Sequence, residues 1–368
     1  MAASNWIETN EALAVLCQRL EAQDWLVLDT EFERRTTFYP KAGLIQLGTV
    51  DEVWLIDALA VSDWEPLVEL METTAIVMHS CSEDLEVLRH LCGAIPKRIF
   101  DTQVAAALCG LRSGIGFAEL AEHLFNVKLD KGETRSNWLQ RPLRDSQLRY
   151  AEDDVVWLAK AFPALMLRLE ERVDWVWEEG DFTIASSHAN DHLSYYFDRL
   201  TKVADRDPLT QHVAKALSDW REQQARDRDM PRNRVLAEAS LVQLAVQKPQ
   251  HAAAMTDIVD LSPGQIKRYA ETWIGLINEV VASEPTEALM PRLLTKSQTK
   301  QYKVFMKMVD KEAHALEVPR EMLASKKVGQ AFIRTNSFQQ LPALPKWRIP
   351  YLESAQQRFH EKKVESEV

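Results

Sequence analysis

The chain has 368 residues, 46% hydrophobic and 27% charged, with a formal net charge of −11 at neutral pH. This is the composition of a soluble globular protein of two or three domains; no apolar stretch approaches the roughly 20 residues needed to span a bilayer, and the N-terminus lacks the basic-then-apolar order of a secretion signal. The acidity argues against a uniformly basic nucleic-acid binder but does not exclude a nuclease, because affinity for phosphate depends on where the positive charges sit.

The first informative element is Trp25-Leu-Val-Leu-Asp29-Thr-Glu31-Phe32. The run is too short, and too β-branched or aromatic at its flanks, for a lone helix, and it reads as a buried strand. Side chains at i and i+2 share a strand face, so Asp29 and Glu31 point together. Apolar strands over 43–50 and 52–59 follow after short turns. That order predicts antiparallel pairing before any crossover unit, and hence a mixed α/β sheet. Ala75-Ile-Val-Met78 is the next strand, and Ser80 or Ser82 is placed to cap a helix carrying Leu85, Leu88 and Leu91 on its inner face. Asp84 then lies in the first turn of that helix. Asp101, in Ile99-Phe-Asp-Thr-Gln, reads as a strand-end cap. In Tyr150-Ala-Glu-Asp-Asp154 the tyrosine and the last aspartate share one helix face, while Asp153 projects away. Beyond about residue 200 the strand signal fades. Helical periodicity begins at Pro208, further helices are expected at about 237–247, 253–260 and 263–282, and Ser283-Glu-Pro285 reads as a hinge before a second helical unit.

Two like charges at the edge of an apolar sheet are expensive unless a cation neutralises them. An Asp-x-Glu alone more often ends a strand than holds a metal; the company of Asp84 and Asp154 points to an ion. Oxygen-only ligands select Mg²⁺ or Mn²⁺ over zinc. Two such cations about 3.5–4 Å apart are a standard device for phosphodiester hydrolysis. On this reading Asp29 bridges the ions, Glu31 and Asp154 hold the nucleophile-side one, and Asp84 joins through the other or through water. Tyr150 orients the attacking water, because a phenol of pKa about 10 is a poor general base at neutral pH. No Gly-rich phosphate loop, Ser/His/Asp arrangement or zinc-type cluster appears. Cys17, Cys81, Cys92 and Cys109 show no Cys-x-x-Cys spacing and read as buried free thiols in a reducing cytoplasm. Periodicity and spacing alone lead to a metal-dependent phosphoesterase.

The motifs Asp29-Thr-Glu31-Phe, His79-Ser-Cys-Ser-Glu-Asp84-Leu and Tyr150-x-x-x-Asp154 resemble the three exonuclease motifs of the DEDD superfamily, the tyrosine marking its tyrosine-type branch. The stretch Leu129-Asp-Lys131-Gly-Glu-Thr134-Arg-Ser-Asn-Trp138-Leu-Gln-Arg141-Pro142-Leu is similar to the ribonuclease D family, and the likeness runs through essentially the whole chain. The resemblance implies an α/β ribonuclease-H-like exonuclease domain over 1–170, a helical connector over 171–204, and two all-α HRDC-type domains over 205–284 and 285–368. The first of these carries Trp220-Arg221, Ala225, Met230-Pro231, Leu241 and Pro249; the second, more divergent, runs from Val318-Pro319-Arg-Glu-Met322 through Trp347. Also implied is a 3′→5′ exoribonuclease using two divalent cations, releasing nucleoside 5′-monophosphates and trimming tRNA precursors with 3′ extensions. Asp29, Glu31, Asp84, Tyr150 and Asp154 are its catalytic set, and the four carboxylates its metal ligands. A 3′→5′ DNA exonuclease of the same superfamily is the alternative, since the metal site does not separate DNA from RNA. A non-catalytic RNA-binding scaffold is a second alternative, opposed by the presence of all five groups. The expected setting is the cytoplasm, with RNA as partner, no membrane, and no dedicated protein partner.

Candidate RNA contacts are more dispersed. Between Lys128 and Arg149 six cations, Lys128, Lys131, Arg135, Arg141, Arg144 and Arg149, outnumber Asp130, Glu133 and Asp145, and Gly132 and Pro142 make much of the segment loop. It reads as a strap over the substrate backbone, with Lys131 and Arg135 as first choices for phosphate and Trp138 as a stacking or packing residue. Thr30 is a further candidate contact. Phe32 either stacks on a terminal base or ribose or fills core, and His79 either hydrogen-bonds a motif carboxylate or substrate or is a satisfied structural histidine. Lys296, Lys300, Lys303, Lys307 and Lys311 fall on one narrow helical stripe opposite Phe305, Met308 and Val309. The stripe reads as a polyanion-binding face or a solvated one. Arg226, Arg228, Arg232 and Arg234 form a looser cluster, weakened by Asp227 and Asp229.

Overall fold

The structure, a computed structural model, describes residues 5–130, 132–189, 192–338 and 344–367. One sheet holds β1 (Asn5–Ile7), β2 (Trp25–Glu33), β3 (Lys41–Gly48), β4 (Val53–Asp57), β5 (Ala75–Met78) and β6 (Ile99–Asp101), in the order β1-β4-β3-β2-β5-β6. β2, β3 and β4 pair antiparallel; β1 joins β4, β5 joins β2 and β6 joins β5 in parallel. The sheet is therefore mixed, as expected. β1 is too short to show a period in the sequence.

β2 lies inside the sheet, and Leu26, Val27 and Leu28 have no exposed surface. Its ladder with β5 covers only Trp25–Val27, whereas its ladder with β3 continues to Glu33. Asp29 and Glu31 thus stand where β2 has outrun its parallel neighbour, at the carboxyl end where α/β sheets open a crevice. The register shifts between Glu31 and Phe32, a bulge that ends the regular alternation just past the two acids.

Helices α1 (Asn10–Leu20), α2 (Glu65–Thr73) and α3 (Ser82–Cys92) supply Leu13, Leu67 and Leu88 to a core with Leu26 and Leu28. On the opposite face, α4 (Thr102–Leu108), α5 (Phe117–Phe125), α6 (Asp145–Leu169) and α7 (Val173–Ala189) pack with Val27, Val77 and Phe100. Neither Ser80 nor Ser82 caps α3. Ser80 is left-handed (φ 59°), and Cys81 holds the cap position without a side-chain bond. The Asp101 carboxylate holds the turn before α3, accepting from Ser80 N (2.9 Å) and Cys81 N (3.1 Å), and caps α4 by accepting from Gln103 N (2.8 Å). All four cysteines are free. No helix of the described residues is long and apolar enough to cross a membrane.

The remaining helices are α8 (Pro208–Asp227), α9 (Arg232–Val235), α10 (Glu238–Gln247), α11 (Pro263–Ala282), α12 (Lys296–Ala315), α13 (Arg320–Leu323), α14 (Lys326–Thr335) and α15 (Ile349–Glu367). The helix expected at 253–260 is a single 3₁₀ turn, Ala252–Met255. The chain divides into two compact units: Met1–Glu33, Pro40–Ser187 and Leu294–Val368 form one, and Arg34–Tyr39 with His188–Leu293 the other. In the first, Trp175 stacks on Trp347 at 4.6 Å and buried Glu179 accepts from Trp347 Nε1 at 2.7 Å, joining α7 to the C-terminal helices. In the second, Phe38 is buried beside Arg232, and Asp229 accepts from the Phe38 and Tyr39 amides at 3.0 and 2.9 Å.

α12, α13 and α14 repeat α8, α9 and α10 at a constant offset: 208 to 296, 232 to 320 and 238 to 326 are each 88 residues apart. Left-handed Asp229 and Lys248 recur as left-handed Glu317 and Asn336. The ion pair Arg232–Glu222 (2.5 Å) recurs as Arg320–Asp310 (3.5 Å).

Candidate active site

The alternation of β2 turns Asp29 and Glu31 toward α6, and α6 brings Asp154 to meet them. One carboxylate oxygen from each lies within 4.8 Å of the others. Oxygens at that spacing suit one hard cation, whose ligands stand roughly 2.0–2.6 Å from the ion. Gln46 is Asp29's partner in the β2–β3 register. Its side chain is fully buried, with neither amide atom hydrogen-bonded. A buried amide left unpaired is costly, so the sheet face beside the carboxylates holds polarity that a hydrated cation would satisfy. The donor set fits Mg²⁺ or Mn²⁺.

Asp84 arrives from the other face. Thr30 points away from Asp29 and donates its hydroxyl to Asp84 at 2.5 Å. Asp84 stands outside the group of three but raises the pKa of Glu31 electrostatically. Thr30, a candidate substrate contact from the sequence, is thus engaged in holding this carboxylate.

Tyr150 and Asp154 lie on adjacent turns of α6, and the Tyr150 hydroxyl hydrogen-bonds both Asp154 and Thr134. Burial and the Asp154 charge push the phenol well above its usual range, so it stays protonated. The approach of α6 depends on Gly48 of β3. A Cβ there would fall 2.3 Å from Val155 Cγ1 and 3.0 Å from Val27 Cγ2.

Crowded carboxylates in a low-dielectric cleft resist ionisation. Burial, then the charges of Asp29 and Asp154, pushes Glu31 up to about 10; burial lifts Asp29 to about 6; burial and Asp29 raise both Asp84 and Asp154. A folded pKa above the unfolded one means that the native site binds more protons than the unfolded chain. Stability from this site is therefore present at low pH and lost as pH rises from the ordinary carboxylate range toward 10. Metal uptake near neutral pH should release on the order of one proton. Stabilisation by Mg²⁺, read as a shift in melting temperature, is expected to be larger at alkaline than at mildly acidic pH. A shift independent of pH would count against these carboxylates as the ligands.

The acids open into a cleft of about 270 Å³ lined by Asp29, His79, Phe117, Asp130, Thr134 and Tyr150, among others. The ring of His79 lines it, but Nε2 donates to the Ile115 carbonyl (3.0 Å) and Nδ1 lies 2.9 Å from Thr102 Oγ1. Burial lowers its pKa. It is a satisfied histidine and bonds no motif carboxylate. Phe32 is partly buried against the α1–α3 core and does not line the cleft. Trp138 is 1% exposed and packs near Tyr150, which removes the stacking alternative. Arg141 is not free for phosphate: it clamps Asp57 and the Gly43 carbonyl. Arg144 pairs with Glu133 at 2.6 Å. Arg135 is exposed and has a partner of its own; Lys131 lies outside the described residues. Phe117, which follows the Gly116 cap of α5, had no signal in the sequence. Asp130 and Thr134 sit in the stretch that carries the family likeness.

Comparison with known proteins decides the family. A family model described as 3′-5′ exonuclease matches residues 4–170, and an HRDC domain model matches 210–277. Ribonuclease D of Pseudomonas paraeruginosa is 40% identical over 338 residues, 90% of this chain and 89% of that protein. The chain belongs to the ribonuclease D family. It is a 3′→5′ exoribonuclease, a hydrolytic nuclease. Ribonuclease D of Escherichia coli is 33% identical over 330 residues, 87% of each chain. The crystal structure of Escherichia coli RNase D, described as an exoribonuclease involved in structured RNA processing, superposes with a TM-score of 0.89 at 28% identity, covering 98% of this chain and 99% of that one. The catalytic core of RRP6 from Trypanosoma brucei shares the fold, with a TM-score of 0.55 over 76% of this chain and 80% of that one at 19% identity. An α/β exonuclease domain followed by a helical HRDC domain is therefore this chain's architecture, as its motifs imply.

Proposed function

We propose that this exoribonuclease shortens cytoplasmic tRNA precursors and other small structured RNAs with 3′ extensions, one nucleoside 5′-monophosphate at a time, using two divalent cations. The observation that supports this most is the convergence of Asp29, Glu31 and Asp154 within 4.8 Å, with Tyr150 bonded to Asp154. Asp29, Glu31, Asp84 and Asp154 would hold the cations. When bound, these supply a metal-lowered water pKa for the nucleophile and charge neutralisation at the phosphoryl oxygens. Protonated Tyr150, held by Thr134, orients the water and does not abstract its proton. The segment 285–368 is a second HRDC-type copy on this reading, supported by the 88-residue repeat of elements and of the Arg–acid pair.

The test is Mg²⁺-dependent digestion of a tRNA precursor labelled at either end. Release of labelled mononucleotide from the 3′-labelled RNA at the first turnover, with stepwise shortening of the 5′-labelled one, is the expected pattern. Equal rates on the matching DNA would favour the deoxyribonuclease alternative. Tyr150→Phe is expected to lower single-turnover rate by about 10²-fold at saturating Mg²⁺, the scale set by misplacing a reacting group. If instead Mg²⁺ affinity falls while turnover holds, the tyrosine belongs with the ligands.

A further inference from the structure

We infer that the lysine face of α12, none of whose lysines lines the catalytic cleft, holds the phosphates of a double-stranded RNA stem. Lys296, Lys300, Lys303, Lys307 and Lys311 are all exposed, and none of them pairs with a carboxylate among the described residues. Helical spacing confines them to one side, and the row is about 23 Å long at 1.5 Å per residue. Phe305, Met308 and Val309 on the opposite side are buried.

The arrangement opposes the stability of its own helix. Neighbours three and four apart repel, and Lys296 enters a first turn with no acidic residue, against the helix dipole. The two acids of α12 offer no relief. Asp310 is engaged by Arg320, and buried Glu312 by Arg358 and Ser354. The fold does not need the stripe, as the first repeat demonstrates. Eighty-eight residues earlier the same positions hold Pro208, His212, Lys215, Asp219 and Gln223, where Lys215 pairs with Asp219 at 2.5 Å. One copy is neutralised within the helix; the other leaves its charge outward.

The chemistry favours a stem over a single strand. Single-strand binders interleave cations with aromatic platforms for the bases. Apart from His314, which falls in line beyond Lys311, this face presents no ring. Duplex RNA is read mainly through its shape and backbone, which suits a straight row of point charges. The inference rests on RNA being the substrate.

The test uses the full chain carrying Asp29→Asn, so that bound RNA persists, with and without K300Q/K303Q/K307Q. The ligands are a hairpin RNA with a 3′ tail and the unpaired tail alone. The triple change is expected to weaken hairpin binding about tenfold more than tail binding. It should also make the log–log salt slope on the hairpin shallower by roughly 2–3, at about 0.9 per lost phosphate contact. The melting temperature should stay level or rise, because repulsion is relieved. Equal losses on hairpin and tail would overturn the stem assignment, and an unchanged salt slope would overturn phosphate contact altogether. Failure of the wild-type chain to shorten either RNA would count against the substrate reading instead, and a hairpin-specific loss would still support the stripe.

Discussion

Replacing Asp29 by Asn is expected to abolish RNA hydrolysis, by at least about 10³-fold, with fold and RNA binding retained. Asp29 is the electrostatic centre of the site: its charge contributes to the raised pKa of Glu31, of Asp84 and of Asp154. Asparagine keeps the shape and removes that charge. The same substitution should have an opposite effect on the metal-free fold. With EDTA at alkaline pH, where the crowded carboxylates are forced to ionise, the variant is expected to melt at a higher temperature than wild type. Adding Mg²⁺ should then stabilise wild type by mass action and the variant hardly at all. Product release from labelled RNA and paired melting curves check both halves. Wild-type-like turnover in the purified, folded variant would sink the assignment of Asp29.

Gly48→Ala is expected to reduce activity through a residue that touches no substrate. The added methyl meets Val155 Cγ1 at 2.3 Å and Val27 Cγ2 at 3.0 Å, both on stiff β-branched side chains. Overpacking of this kind typically costs about 1–3 kcal/mol. The more serious consequence is that α6 must retreat, and Asp154 adjoins Val155. A misplacement of about 1 Å at a reacting centre can cost on the order of 10² in rate. Gly48→Ala with Val155→Ala should recover much of both the stability and the turnover, because the clash is removed at its other end. Denaturant unfolding and turnover measured on the three variants decide it. Normal turnover in Gly48→Ala alone would show that this contact does not set the position of Asp154.

The parts of the site that were legible in the sequence are those whose geometry repeats locally. Two-residue alternation pairs Asp29 with Glu31, and one helical turn pairs Tyr150 with Asp154; neither depends on what lies across the molecule. The lysine row of α12 was legible for the same reason, since five residues on one helical stripe remain so wherever the helix packs. Hydrophobic runs announced β2 to β5 to within two residues at their ends. β1, at three residues, offered no period to read.

What the tertiary structure alone decided involves partners far apart in the chain. The turn that leads into α3 is held by Asp101, about twenty residues on, and neither adjacent serine caps the helix. Arg141 looked available for RNA until Asp57, 84 residues earlier, was seen to occupy it. Thr30 looked like a substrate contact until α3 delivered Asp84 to its hydroxyl. The short segment Arg34–Tyr39 leaves the sheet and joins the second compact unit, where Asp229 accepts two of its amides. The cause is common to all four: a charged or polar side chain takes whichever partner the fold brings within about 3 Å, and local sequence carries no record of that partner. The amino-acid order determined which residues share a face, and the packing of helices on the sheet determined which faces meet.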